Sequence, residues 1–195
     1  MAKLSDLIKQ KTTTGALGEF KIPEGTDVIG RVFTDDVVNV SLHYGESETL
    51  RGYFQCLGEG CPFCLAGRKV SAFFLLPIYS VAADSIQILR LSESIDPLAL
   101  LPQILAVLED PRVEDKFQVF HRLDKYHYSV ESRTATDRRH LGASQINAFI
   151  EAVESGKIDL TNIFPRPSRE DMLSVEAIRL HLELIGKIKT EGSST

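Results

Sequence analysis

The chain has 195 residues, 43% of them apolar, with 22 Lys and Arg against 27 Asp and Glu for a formal net charge of −5. The composition is that of a globular protein; no apolar run approaches the roughly 20 residues of a bilayer span, and the opening MAKLSDLIKQKTTTG has no apolar stretch to serve as a secretory leader. The acidic total argues against a simple histone-like or polybasic nucleic-acid binder but not against nucleic acid altogether, because binding answers to the local field of a groove rather than to the sum.

A cytoplasmic protein with no membrane partner is therefore expected. In chain order, residues 5–11 read as a short helix or an arm. Residues 27–34 and 37–44 read as strands rich in β-branched side chains, with Asp35-Asp36 between them. Residues 51–55 form a third strand that leads into the cysteines. Residues 71–81 (SAFFLLPIYSV) are a long apolar strand in which Pro77 suggests an edge or a bulge. Residues 86–91 alternate as IQILRL and pair with it through a turn at Ala83-Asp84.

Residues 98–108 have helical spacing with Pro102 in the first turns. Residues 117–123 and 126–131 predict a hairpin around Asp124-Lys125, with Tyr126 and Tyr128 on one face of their strand. Residues 144–155 form an amphipathic helix, 163–168 an irregular linker, and 168–189 a second, longer helix. The expected fold class is mainly β (α+β): an OB-like antiparallel barrel with one inserted helix. The expected division is an N-terminal arm (1–19), a barrel (20–135) containing a knuckle (43–64), and a helical C-terminal annex (140–195).

Three cysteines, Cys56, Cys61 and Cys64, lie within nine residues. An odd, clustered set is a poor disulfide framework and a better metal or redox site. C-x2-C is the usual half-site for tetrahedral zinc, because a tight turn aims two thiolates at one point. Gly58 and Gly60 let the backbone fold closely around an ion. A structural site needs a fourth ligand. His43 stands thirteen residues before Cys56, and a turn near Gly45 would bring its strand back beside the knuckle. His121, His127, His140 and His181 come from later elements. Cys61-Pro62-Phe63-Cys64 also resembles a glutaredoxin active site, in which the first thiolate is the nucleophile.

Residues 51–90 and 112–140 each carry a charge of +2 and are the two stretches richest in aromatics. Binding a single strand takes aromatic faces for bases and cations for phosphates. The first stretch offers Arg51, Tyr53, Arg68 and Lys69; the second offers Arg122, Tyr126, Tyr128 and Arg133. The chain has no Gly-rich phosphate loop and no G-x-S-x-G segment, so no catalytic set is expected.

His43-x12-Cys56 followed by Cys61-Pro62-x-Cys64 resembles the zinc-containing OB-fold single-stranded DNA-binding proteins of phages, of the T-even helix-destabilising type. The resemblance runs over roughly residues 18–132, through the FKIPEG segment at 20–25, the knuckle and the apolar strand at 74–79. The interval from Cys56 to the C-x2-C pair is shorter here, and the closing KIKTEGSST is not the acidic tail of that type. The resemblance implies one structural zinc on His43, Cys56, Cys61 and Cys64. It implies a non-enzymatic protein whose partner is single-stranded DNA, acting with replication or recombination proteins, in the host cytoplasm if phage-encoded. A thiol-disulfide oxidoreductase and a zinc-knuckle protein-interaction module are the alternatives from the residues themselves.

Overall fold

A computed structural model describes residues 17–110, 112–113, 116–134 and 143–188. The helix expected over 5–11 and His140 lie outside them. Strands β1 (Val28–Val32), β2 (Val38–Glu46) and β3 (Arg51–Gln55) precede a one-turn helix, α1 (Pro62–Leu65). Then come β4 (Ser71–Ser80), β5 (Ser85–Ser92), α2 (Leu100–Leu108), β6 (Lys116–Arg122) and β7 (Tyr128–Thr134). Next are α3 (Ala143–Glu154), a 3-10 turn at Leu160–Ile163, α4 (Arg169–Leu173) and α5 (Glu176–Leu184). The fold is mainly antiparallel β with helices, of the α+β class.

The chain forms two compact units. One takes the described residues up to Asn39 together with Phe73–Ile163; the other takes Val40–Ala72 and residues from Phe164 on. The knuckle and the last two helices thus share a unit, whereas the sequence put the knuckle with the barrel and 140–195 in a separate annex. The reason is physical: a knuckle this small has no core of its own and borrows one from the C-terminal segment.

In the first unit the strands run β5-β4-β1-β6-β7, every pair antiparallel. The ladder is open: among the described residues β5 does not pair with β7, and α2 packs against both. Residues Leu75 to Ser80 of β4 are all buried, the continuous pattern of a strand covered on two faces. Pro77 lies inside β4, opposite Ile88, and not at an edge. It is tolerated because β1 meets β4 only at Ile78–Ser80, beyond the proline.

The segment before β1 is tied across the sheet. Phe20 donates its N–H to Ile88 and Ile88 donates to Gly18, at 2.8 and 2.9 Å. The Glu24 backbone forms an isolated parallel β-bridge with that of Arg122. This tether sinks Phe20 and Ile22 into a core with Leu76, Ile78, Leu89, Ile104 and Phe120. Phe20 meets Phe120 edge-on at 5.2 Å. Burying a side chain of that size is worth about 2–3 kcal/mol. In α2, Leu100, Ile104 and Val107 are buried at helical spacing. The β6–β7 turn is longer than expected, because the Asp124 carboxylate accepts the N–H groups of Tyr126 and His127. Tyr126 therefore sits in the turn and not on the strand.

In the second unit β2 and β3 form a hairpin, with His43 opposite Phe54 and Tyr44 opposite Tyr53. The Ser47 hydroxyl closes the turn, accepting from Leu50 N–H at 3.0 Å. The core gathers Phe54, Cys61, Phe63, Met172, Ile178 and Leu182. The single helix expected over 168–189 is two helices. Met172 and Ile178 are six residues apart, which is not a whole number of 3.6-residue turns. An unbroken helix cannot bury both. Val175, extended at φ −72° and ψ 104°, resets the phase. A reciprocal capping box between Ser168 and Asp171 starts α4.

Candidate metal centre

The centre is assembled from a hairpin and a knuckle. Cys56 follows β3 and is fixed by its N–H to Ser41, at 2.9 Å. Gly58 and Gly60 have φ of 76° and 74°, left-handed values that a glycine adopts without strain. They turn the chain so that Gly58 N–H points at Cys56 Sγ, 3.4 Å away. Cys61 then opens α1, with Pro62 in the first helical turn, and one turn on comes Cys64. From the C-terminal segment, Arg169 donates to the Gly60 carbonyl.

The donor atoms of His43, Cys56, Cys61 and Cys64 all lie within 4.8 Å of one another. His43 Nε2 is 3.5 Å from Cys61 Sγ and 3.3 Å from Cys64 Sγ, and Cys56 Sγ is 3.4 Å from Cys64 Sγ. A tetrahedron with metal–sulfur bonds of about 2.3 Å has edges of about 3.8 Å, and these three separations lie a few tenths of an ångström inside that value. The cysteines are all free. The donor set is compatible with one metal ion.

The electrostatics agree. His43 is 1% exposed. Burial pushes its basicity down, against the opposing bond to Lys69, which keeps the ring neutral as a ligand must be. Burial also raises the Cys61 thiol, but N–H groups of Cys64, Leu57 and Phe63 and the Cys56 thiol outweigh it, so Cys61 lies below its ordinary range. Cys64 is pushed up to about 12 by burial and by its neighbours Cys56 and Cys61. Three crowded sulfurs cannot all ionise unaided; a divalent cation reverses that balance. A four-coordinate ion held by all four donors would have no open position for substrate or water.

The eight residues proposed from sequence to contact a nucleic acid divide between the units. In the second unit Arg51 is exposed and Tyr53 half-buried on β3, and Arg68 and Lys69 are exposed after α1. Tyr53 meets Tyr44 edge-on at 5.0 Å. Tyr44 is 56% exposed and is absent from the sequence-based set, although the hairpin register points to it. In the first unit Arg122 and Tyr128 line one cavity. Tyr126 is exposed in the β6–β7 turn, 5.1 Å from Lys125 Nζ. Arg133 is exposed and paired with Glu131 at 3.1 Å. Nor does the sequence give any sign of Met172, whose sulfur lies 3.7 Å from Cys61 Sγ.

Compared with known protein families, curated proteins and solved structures, the chain finds no match.

Proposed function

We propose that the chain binds single-stranded DNA in replication, recombination or repair, and that His43, Cys56, Cys61 and Cys64 hold one structural zinc. The observation that carries this is the closed set of one histidine and three cysteines. One nitrogen and three sulfur donors within 4.8 Å of one another are the kind of ligand set zinc prefers. When bound, the ion fixes the knuckle and does no chemistry on a substrate.

An OB-type barrel is supported in the first unit by the tether at 17–24, which ties to both Ile88 and Arg122, and by α2 between β5 and β7. In the second unit the Tyr44–Tyr53 pair is a stacking platform next to Arg51. Thiol-disulfide chemistry would need Cys61 as an accessible nucleophile; it is fully buried, which counts against that alternative.

Titration with oligo-dT at low and raised salt tests the reading. Affinity is expected to fall with salt by about 0.7 log per log for each phosphate contacted. No binding at low salt would overturn it. Metal analysis should find zinc, one ion per chain; an empty protein purified without chelator would remove the zinc assignment.

A further inference from the structure

The first unit contains a cavity of about 380 Å³ between the 17–24 tether, β5, the start of α2 and the ends of β6 and β7. Its floor is apolar, with Phe20, Leu89 and Leu100 buried. Its polar groups sort by charge. Arg90 is spent on Glu19, at 3.0 Å. Lys21 and Tyr128 also line the cavity, and among the described residues neither the Lys21 ammonium nor the Tyr128 hydroxyl has a partner. Arg122 has no carboxylate either. Its Nε and Nη2 donate to the carbonyls of Asp124 and Lys125, at 2.9 and 3.2 Å. Those bonds hold the guanidinium rigid and leave its charge intact.

Two uncompensated cations over an apolar floor, in a chain of net charge −5, select an anion with a flat or apolar body. A lone phosphate would leave the floor uncovered. The volume lies in the range of small-ligand sites, roughly 300–1,000 Å³. We infer that this cavity is a nucleoside 5′-phosphate site. The phosphate sits between Lys21 and Arg122, the base or sugar lies on the Phe20 floor, and the Tyr128 hydroxyl takes a polar edge. On the single-strand reading, on which this last step rests, it seats one nucleotide of the bound strand.

The metal-loaded full chain is titrated with dTMP, thymidine and inorganic phosphate, with chemical-shift mapping of the bound position. dTMP should bind at least about tenfold tighter than either fragment, since only it engages both the cations and the floor. Shifts should centre on Lys21, Arg122 and Tyr128. Lys21 is exposed, so Lys21→Gln should fold normally and lose about tenfold in dTMP affinity, while Lys21→Arg keeps it. Equal affinity in Lys21→Gln, or shifts centred elsewhere, would overturn the site. Oligo-dT binding without dTMP binding would overturn the site alone. dTMP bound here without oligo-dT binding would support the site and sink the single-strand reading.

Discussion

The His43 imidazole donates its Nδ1–H to the main-chain oxygen of Lys69, 3.0 Å away. A carbonyl only accepts, so this one bond sets the tautomer and leaves the Nε2 lone pair facing the sulfurs of Cys61 and Cys64. Nothing about residue type makes Lys69 suitable; its backbone position does. The expected outcome is that His43→Ala abolishes stoichiometric metal binding, and His43→Cys retains it by restoring a fourth soft donor. Metal content after dialysis against a mild chelator reads both. Full retention in His43→Ala would mean that three thiolates suffice and that His43 is only a core residue.

The four donors are legible because their spacing is local. The hairpin reverses at 47–50, a few residues beyond the turn expected near Gly45, and so carries His43 back opposite Phe54, two residues from Cys56. The support beneath them is not legible. Met172 and Arg169 reach the knuckle from more than a hundred residues away, and such packing leaves no periodic trace. The break at Val175 is readable in principle, because Met172 and Ile178 are out of phase for one helix. The turn at Asp124 departs from expectation for a different reason: one side chain competes with the ladder for two backbone N–H groups. Neither charge nor composition singles out Tyr44; only its pairing register with Tyr53 does.

Met172 is fully buried and touches Cys61 Sγ. Met172→Ala should cost about 2–5 kcal/mol through the cavity it leaves. The loss falls on the unit that holds the metal donors, so the ion should also pass faster to a competing chelator. Met172→Leu should nearly restore both. Unchanged metal release in Met172→Ala would mean that the knuckle holds its ion without the C-terminal core.

His127 is bracketed by Asp124 Oδ2 at 2.7 Å on Nδ1 and Asp96 Oδ2 at 3.5 Å on Nε2. Bonds to Asp124 first, then the charges of Asp124 and Asp96, raise it above 6.5 despite some desolvation. Asp124 is drawn down to about 2, first by the Tyr126 N–H and then by His127. A raised histidine contributes fully below 6.5 and fades as pH climbs through its folded value. A depressed carboxylate contributes above 3.8 and fades as pH falls towards 2. The turn should be tightest between pH 3.8 and 6.5. Asp124 and Asp96 are exposed and His127 is half-buried, so the effect belongs to local opening of the turn. After correction for intrinsic exchange, protection of the Leu123 and Tyr126 amides should fall between pH 6 and 8 in the native chain. It should stay flat in His127→Gln. The same slope in both would show that His127 does not hold the turn.

The cross-strand pair Tyr44–Tyr53 carries the last prediction. The two side chains are neighbours across the hairpin, with Arg51 opposite Glu46 two residues further along. Base stacking is worth about 1–3 kcal/mol per aromatic and involves no counterion. Tyr44→Ala should therefore weaken oligo-dT binding by about that much with an unchanged salt slope. Arg51→Gln should act oppositely, with a smaller loss and a slope reduced by about 0.7. Glu46 and Glu48 border a cleft of about 330 Å³ together with Tyr44 and Arg51, and their charge repels phosphates there. Glu48→Gln should accordingly tighten binding. The chain has no Trp, so quenching of tyrosine emission follows binding, and its loss in Tyr44→Ala assigns the signal to this hairpin. If Tyr44→Ala binds as the native chain does, the strand does not cross this hairpin, and any single-strand affinity belongs to the other unit.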